Sequence, residues 1–244
     1  MKAKTWKQFS AAREHYREVV DQLRLQLPKL GSFQQKLVDT RSGPAYTVET
    51  PIVYNEALDD VEPKDDIKLI LVADNPGRRE QAAENRRYLV GPSGKITERF
   101  FREEPSLGID FRKNVLILNK TPVHTPRTVE LRELCRLGGA ALETVIAQSQ
   151  LTMVGILEEF YHALAPIPVW VIGYSEMKKR GIFEVYTDAL RKAPSALFDQ
   201  LFFYRHFSMN QFTIDLHKQA KQGETTGQTL ERIGRAYRER VLGG

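Results

Sequence analysis

The chain contains a single cysteine, Cys135, among its 244 residues. One cysteine cannot build a disulfide framework, and it cannot supply the several thiolates of a cysteine-ligated metal cluster. We therefore predict a protein without disulfide bonds, and we expect its activity to need no metal and no cofactor.

The sequence also lacks long hydrophobic runs. No window approaches the ~18 uninterrupted apolar residues of a membrane span, and no apolar stretch follows the basic segment 1–7 as it would in a signal peptide. We therefore expect a soluble, cytoplasmic protein that does not contact a membrane. The chain also has no internal repeat and no low-complexity tract.

The composition is sufficient for one substantial hydrophobic core. The chain has a mass of 28.0 kDa and 41% hydrophobic residues, which favours a single domain over residues 1–244. We expect a monomer. The net charge is +5 and the isoelectric point is about 9.2, which is compatible with a polyanionic partner such as nucleic acid.

Four short apolar runs predict parallel strands, because each is separated from the next by enough residues for a helical crossover. The runs lie at residues 67–73, 114–118, 168–172 and 201–204. Helical patterns between them lie at residues 97–102, 129–148, 151–164, 175–180 and 184–191.

Helical spacing also predicts an N-terminal helix over residues 5–27 and C-terminal helices over 212–221 and 228–241. Residues 46–54 alternate around a proline, which predicts a short edge strand or an extended arm. The predicted fold is a three-layer α/β/α sandwich. It has a central, mainly parallel four-stranded sheet, a core over about residues 46–212, and helical extensions at both ends.

The most informative segment is IKLILVADNPG at residues 67–77. Its apolar part is typical of a buried parallel strand, and the turn ends the strand because proline lacks an N–H donor. Ligands of open α/β sheets bind at the carboxyl ends of the strands, so we expect Asp74 and Asn75 to face a cleft. Asn119 and His206 follow other predicted strands and would converge on the same edge.

These strand-end motifs resemble those of the uracil-DNA glycosylase superfamily. Its members carry G-x-D-P or G-x-N-P-G after the first core strand, a strand-terminal Asn, and H-P-S near the end. The matching segments here are ADNPG at 73–77, LN at 118–119 and HFS at 206–208. RYLVGPSG at 87–94 is similar to R-P-F-V-G-x-S-G of the superfamily's iron–sulfur branch. The resemblance covers about residues 67–212 and depends on the order and spacing of four motifs.

The chain departs from the superfamily pattern at several positions. Ala73 stands at the first glycine, and Phe207 stands at the proline of H-P-S. Leu89 stands at the stacking aromatic, with Tyr88 one residue earlier, and the cluster cysteines of the iron–sulfur branch are absent. The chain therefore looks like a divergent member whose activity could be altered or lost.

The resemblance implies a DNA glycosylase that hydrolyses the bond between a sugar and a flipped uracil or related deaminated base. Asn119 would read the base, since its amide can accept from uracil N3–H and donate to O4. His206 would donate a hydrogen bond to O2 of the departing base. Asn75 would orient the attacking water, and Asp74 would polarise it as a general base.

The remaining predicted contacts surround the base and the DNA. Tyr88 or Leu89 would form one wall of the base pocket, and Gly91 would let the backbone approach a ligand. Met209 would enter the gap left by the flipped nucleotide. The predicted contacts to double- or single-stranded DNA are Arg78, Lys95, Lys120, Arg205, Ser208, Met209 and Asn210, with Arg79 and Arg127 as further candidates.

Simpler interpretations of these residues stay open. Asp74 is also suited to capping the helix that follows, Asn119 to capping a turn, and His206 to packing in the core. Two other functions also fit the pattern. One is a nucleic-acid-binding module that no longer cuts, and the other is an enzyme that acts on a nucleoside or nucleotide in the same cleft.

Overall fold

The computed structural model describes residues 1–243 and has a four-stranded parallel sheet at its centre. The strand order is β2-β1-β3-β4, and every neighbouring pair is parallel. All four predicted strands are confirmed. They are β1 (Leu69–Ala73), β2 (Val115–Asn119), β3 (Val169–Ile172) and β4 (Leu201–Tyr204).

Every residue of the four strands is buried. The strands show no alternation of apolar and polar residues because helices cover both faces of the sheet. In β1, Val72 belongs to one hydrophobic cluster, while Leu71 and Ala73 belong to the cluster on the opposite face. The register pairs Ala73 with Asn119, so β1 and β2 end at the same level.

Two layers of helices enclose the sheet. Helices α1, α2, α4, α5 and α6 contribute to the hydrophobic cluster on one face, and α3 and α7 contribute to the cluster on the other. Helix α8 contributes Leu230 and Ile233 to the second cluster and Leu242 to the first. The fold is an α/β/α sandwich with helices added at both ends, as predicted. The helices are α1 (Ala3–Gln26), α2 (Leu30–Thr40), α3 (Pro92–Glu103), α4 (Glu130–Leu164), α5 (Glu184–Leu190), α6 (Ser195–Phe198), α7 (Gln211–Gln219) and α8 (Thr226–Leu242).

Helix α4 bends at Gly139, where φ is 71° and ψ is −171°. The sequence predicted two helices with a break between residues 148 and 151; the structure continues the helix there and breaks it earlier instead. Within residues 1–243, α4 alone is long and apolar enough to cross a membrane by length and composition. Many of its apolar side chains, Met153 and Leu157 among them, are buried and belong to the same cluster as those of α1 and α5, whereas Leu137 and Leu151 are exposed. These contacts are typical of a core helix.

Three other segments differ from the predictions. Residues 175–180 do not form the predicted α-helix, and the segment begins instead with a single 3₁₀ turn at Tyr174–Glu176. Arg180 has a φ of 60°, which is incompatible with a right-handed helix. Helix α2 was not predicted, although its buried Leu30, Leu37 and Val38 have helical spacing. The segment 46–54 is the extended arm rather than a strand, and one bridge joins Ile52 to Val123.

Candidate functional site

A cleft of about 1680 Å³ lies at the carboxyl edge of the sheet. Asp74 and Asn75 line it from the end of β1, Gly173 and Tyr174 from the end of β3, and His206 from the end of β4. Parallel strands bring these ends to one edge, although the residues lie far apart in the sequence. Nine basic and five acidic side chains line the cleft, so it favours an anionic ligand.

Asp74 is held by two side chains from other segments. Its Oδ1 accepts a hydrogen bond from Lys120 Nζ at 2.6 Å, and its Oδ2 accepts one from Thr128 Oγ1 at 3.0 Å. Gly173 leaves room for this carboxylate, because a Cβ at that position would lie 2.5 Å from Oδ1. Both oxygens are engaged, so the geometry favours a fixed carboxylate over a free proton acceptor.

Lys120 does not reach the surface. Its side chain is fully buried, and Nζ also donates to the carbonyl of Ile172 at 2.6 Å and lies 4.9 Å from the ring centre of Phe183. Burial lowers the pKa of Lys120, and the nearby Asp74 carboxylate opposes that shift. The predicted DNA contact is therefore wrong for this residue, because its side chain turns inward from the end of β2 to pair with Asp74.

Asn75 faces the cleft and ties two loops together. Its Nδ2 donates to Thr125, at 2.9 Å to Oγ1 and 3.2 Å to the carbonyl oxygen. These bonds fix the orientation of the amide, because the nitrogen points to the loop that follows β2. The side-chain oxygen is then the atom suited to accept a hydrogen bond from a water or a ligand.

His206 is a neutral hydrogen-bond donor. Its Nδ1 accepts a hydrogen bond from the Ser208 backbone N–H at 3.0 Å and lies 2.8 Å from Ser208 Oγ. A ring nitrogen that accepts carries no proton, so the neutral ring has its proton on Nε2. Burial lowers the pKa of His206 below its ordinary 6.5, and the nearby Asp74 carboxylate opposes that shift.

Asn119 is buried beside the cleft with an unpaired amide. The residue is 1% exposed, and its Nδ2 has no hydrogen-bond partner among residues 1–243. Asn119 does not line the cleft itself, but its register partner Ala73 does, and register partners point to the same face of a sheet. An unsatisfied buried amide costs about 1–3 kcal/mol, so this group is a candidate for ligand recognition.

Of the two residues predicted for the pocket wall, Leu89 lines the cleft and Tyr88 does not. Tyr88 is 1% exposed; its hydroxyl donates to the Val53 carbonyl at 2.6 Å and contacts the Tyr16 hydroxyl. The prediction for Tyr88 is therefore wrong, because its polar atom finds its partners in the core. Leu89 supplies an apolar surface without an aromatic ring.

The glycines after Leu89 shape this wall. Gly91 lines the cleft and precedes the first residue of α3. A Cβ on Gly94 would lie 1.5 Å from the Leu89 carbonyl oxygen, so only glycine allows α3 to pack this closely. The close packing holds Leu89 in place, with a φ of 52°.

The loop after β4 is anchored by Phe207. This residue is fully buried and stacks on Phe212 with ring centres 4.1 Å apart. Ser208 lines the cleft, whereas Met209 and Asn210 do not. Met209 is 81% exposed and has a φ of 54°, so the loop holds an apolar side chain out in solvent next to the cleft.

The predicted basic contacts divide into two groups. Arg78 and Arg205 line the cleft, and Arg205 Nε lies 3.6 Å from Asp215 Oδ1. Lys95 lies outside it, in a separate shallow depression on α3 that also includes Arg102. Lys95 therefore does not line the cleft, and its contact with DNA stays a prediction.

Two buried ionisable residues that the sequence did not reveal clamp the turn after Asn75. Glu80 accepts a hydrogen bond from the Gly77 N–H at 2.8 Å, and burial raises the pKa of Glu80 from 4.5 to about 7. His124 Nδ1 donates to the Pro76 carbonyl at 2.9 Å, and burial lowers the pKa of His124 from 6.5 to about 4. The three-residue spacing from Gly77 to Glu80 is that of a capping box, but His124 has no comparable local signal.

The fold and the cleft define an α/β/α protein with a candidate ligand site at the carboxyl edge of a parallel sheet. A scan against models of known protein families gave no match, and a search among curated proteins found no significant relative. Over residues 1–243, no group of three or more His, Cys, Asp or Glu side chains is arranged to hold a metal ion.

Proposed function

We propose that the protein removes uracil or a related deaminated base from DNA by hydrolysing the N-glycosidic bond of a flipped nucleotide. The observation that carries this proposal is the unpaired, buried amide of Asn119 beside a cationic cleft. Such a group is costly unless a ligand satisfies it. A pyrimidine edge that enters past Ala73 and Leu89 offers both a donor and an acceptor to this amide.

His206 supports the chemical step of the proposal. As the glycosidic bond breaks, negative charge develops on O2 of the base, and a fixed donor there lowers the barrier. The Nε2–H of the neutral ring is such a donor, because Ser208 holds Nδ1 from the other side. The proton is not transferred in this role, so a lowered pKa does not disable the residue.

We propose that Asn75 orients the attacking water and that Asp74 keeps the neighbouring side chains of the site in position. Asn75 offers its side-chain oxygen to a water in the cleft, since its nitrogen is bound to Thr125. Asp74 is bound by Lys120 and Thr128, so we assign it to positioning rather than to proton abstraction. Catalysis would then rest on orientation and leaving-group stabilisation, and we expect slow turnover.

A single-turnover base-release assay tests the proposal. The substrate is a labelled oligonucleotide with one uracil, either single-stranded or opposite G or A, and alkali then reveals abasic sites. We expect strand breakage with the wild-type protein and none with the Asn75→Ala/His206→Ala variant. Equal strand breakage by both proteins, or no breakage by either, would contradict the proposed glycosylase activity.

A nucleic-acid-binding module is the second candidate, and the state of Asp74 favours it. A carboxylate with both oxygens engaged is a poor general base. Salt-dependent DNA binding without base release would support this alternative. Activity on free nucleosides without such binding would instead indicate a small-molecule enzyme.

Replacing Asn119 with leucine should separate recognition from stability. The variant removes the unpaired amide, so we expect the free energy of unfolding to rise by about 1 kcal/mol. Base release should fall to background, because the pocket loses its only predicted pyrimidine reader. Urea unfolding and the base-release assay measure the two effects. Asn119→Asp is the matched variant that keeps a polar group, and we expect it to weaken the preference for uracil while the fold survives.

A further inference from the structure

The segment 41–50 forms a wall of the cleft on the side of β2, and it carries an Arg–Tyr–Arg cluster. The guanidinium carbon of Arg78 lies 5.0 Å from the ring centre of Tyr46, and that of Arg41 lies 5.6 Å from it. All three residues line the cleft. Tyrosine thus holds two guanidinium groups at one end of the cleft by cation–π contact.

Hydrogen bonds to neighbouring segments hold the cluster in position. The Tyr46 hydroxyl is 2.9 Å from His124 Nε2, and His124 Nδ1 donates to Pro76. Gln81 further binds the arm, since its Oε1 accepts from the Glu49 N–H at 2.7 Å and its Nε2 donates to the Thr47 carbonyl at 3.2 Å. The arm is therefore attached to the same turn that presents Asn75.

The two guanidinium groups are only partly neutralised. Arg41 NH1 lies 3.7 Å from the Glu130 carboxylate, which also binds Arg127 at 2.7 Å. The Nε of Arg41 is buried without a hydrogen-bond partner, and Arg78 forms no ion pair within residues 1–243. The buried Nε of Arg41 is closed to a ligand, but Arg78, which no carboxylate neutralises among residues 1–243, remains available to an anion.

We propose that Arg41, Tyr46 and Arg78 form a phosphate-binding subsite for the nucleic-acid strand next to the flipped nucleotide. This inference rests on the proposed function, because it takes the cleft's ligand to be DNA. Guanidinium groups bind phosphate oxygens in a bidentate manner, and stacking on an aromatic ring orients them in advance. The subsite lies on the β2 side, whereas His206 follows β4 at the opposite edge of the sheet. The strand would therefore be held at one end of the cleft, and the glycosidic bond of the flipped nucleotide would be hydrolysed at the other.

The test is the salt dependence of binding to a labelled single-stranded oligonucleotide without uracil, measured by fluorescence anisotropy. Each phosphate contact to a single strand contributes about 0.7 to the slope of log K against log salt. We expect Arg41→Gln/Arg78→Gln to reduce that slope by about 1.4. The control Arg102→Gln/Lys113→Gln removes the same charge away from the cleft and should leave the slope unchanged.

Tyrosine variants test the role of the ring. Tyr46→Phe keeps the ring and should retain the wild-type slope, whereas Tyr46→Leu should reduce it, with thermal melting used to verify folding. An unchanged slope in the double arginine variant, or equal losses in the control, would overturn the subsite. The binding assay does not depend on base release. A wild-type protein that binds the oligonucleotide but releases no uracil would therefore contradict the proposed glycosylase activity and leave the proposed subsite intact.

Discussion

Replacing Asp74 with alanine is expected to lower the free energy of unfolding by about 3–5 kcal/mol, because it leaves a buried charge without a partner. Lys120 is fully buried, and Asp74 provides the only carboxylate within ion-pair distance of Nζ among the described residues. The remaining partner, the Ile172 carbonyl, cannot neutralise the ammonium group. Urea unfolding near neutral pH measures the loss.

Two further variants make the Asp74 experiment specific. Lys120→Met in the Asp74→Ala background should recover most of the lost stability, because a buried ion pair can be replaced by apolar groups at little cost. Glu103→Ala removes an exposed partner of Arg99 at 3.8 Å, and such pairs contribute under about 1 kcal/mol. A loss of similar size in Asp74→Ala and Glu103→Ala would show that the buried pair is not the source of the effect.

Replacing His206 with alanine is expected to slow single-turnover base release by about 10²–10³-fold, the usual cost of removing a donor to a developing anion. DNA affinity should change far less, because the donor acts on the departing base rather than on the strand. Ser208→Ala is the matched control. It keeps the backbone N–H that holds Nδ1, so it should retain most of the rate.

The pH dependence distinguishes a neutral donor from an imidazolium. Burial lowers the pKa of His206 from 6.5, so the ring is neutral above that value and its contribution should not decline as the pH rises through it. A rate that falls as the pH rises through 6.5 would indicate that the charged ring is needed. Equal loss of affinity and rate in His206→Ala would instead point to a structural or purely binding residue.

The strands and the cleft could be predicted because their signals are local. The apolar run that ends at Ala73 predicts a strand covered on both faces, and the polar turn that follows predicts its exposed end. Asn75 and His206 line the cleft for the same reason, whereas Leu89 and Gly91 follow no strand and were predicted only from the motif at residues 87–94. The bend at Gly139 could not be placed, because a glycine in a helical pattern is as often tolerated as it is a break.

The directions of the Lys120 and Tyr88 side chains could not be predicted, because both depend on contacts with distant parts of the chain. Lys120 turns inward toward an aspartate 46 residues earlier, and a basic residue after a strand is more commonly solvated. Tyr88 and Leu89 are neighbours that point in different directions. Tyr88 points into the core because the hydroxyl of Tyr16, 72 residues away, meets its own. Side-chain direction in a loop has no sequence period from which it can be derived.

The turn at Pro76 and Gly77 is held by one acidic and one basic side chain, Glu80 and His124. Burial shifts their pKa values in opposite directions. With a pKa of about 7 in place of 4.5, Glu80 binds a proton more tightly in the folded state, so its contribution to stability declines as the pH rises between those values. His124, with a pKa of about 4 in place of 6.5, contributes more as the pH rises across its own range. The two ranges overlap, so the two slopes have opposite signs in mildly acidic solution. The two residues that support the turn presenting Asn75 therefore depend on pH in opposite directions, and each partly conceals the pH sensitivity of the other.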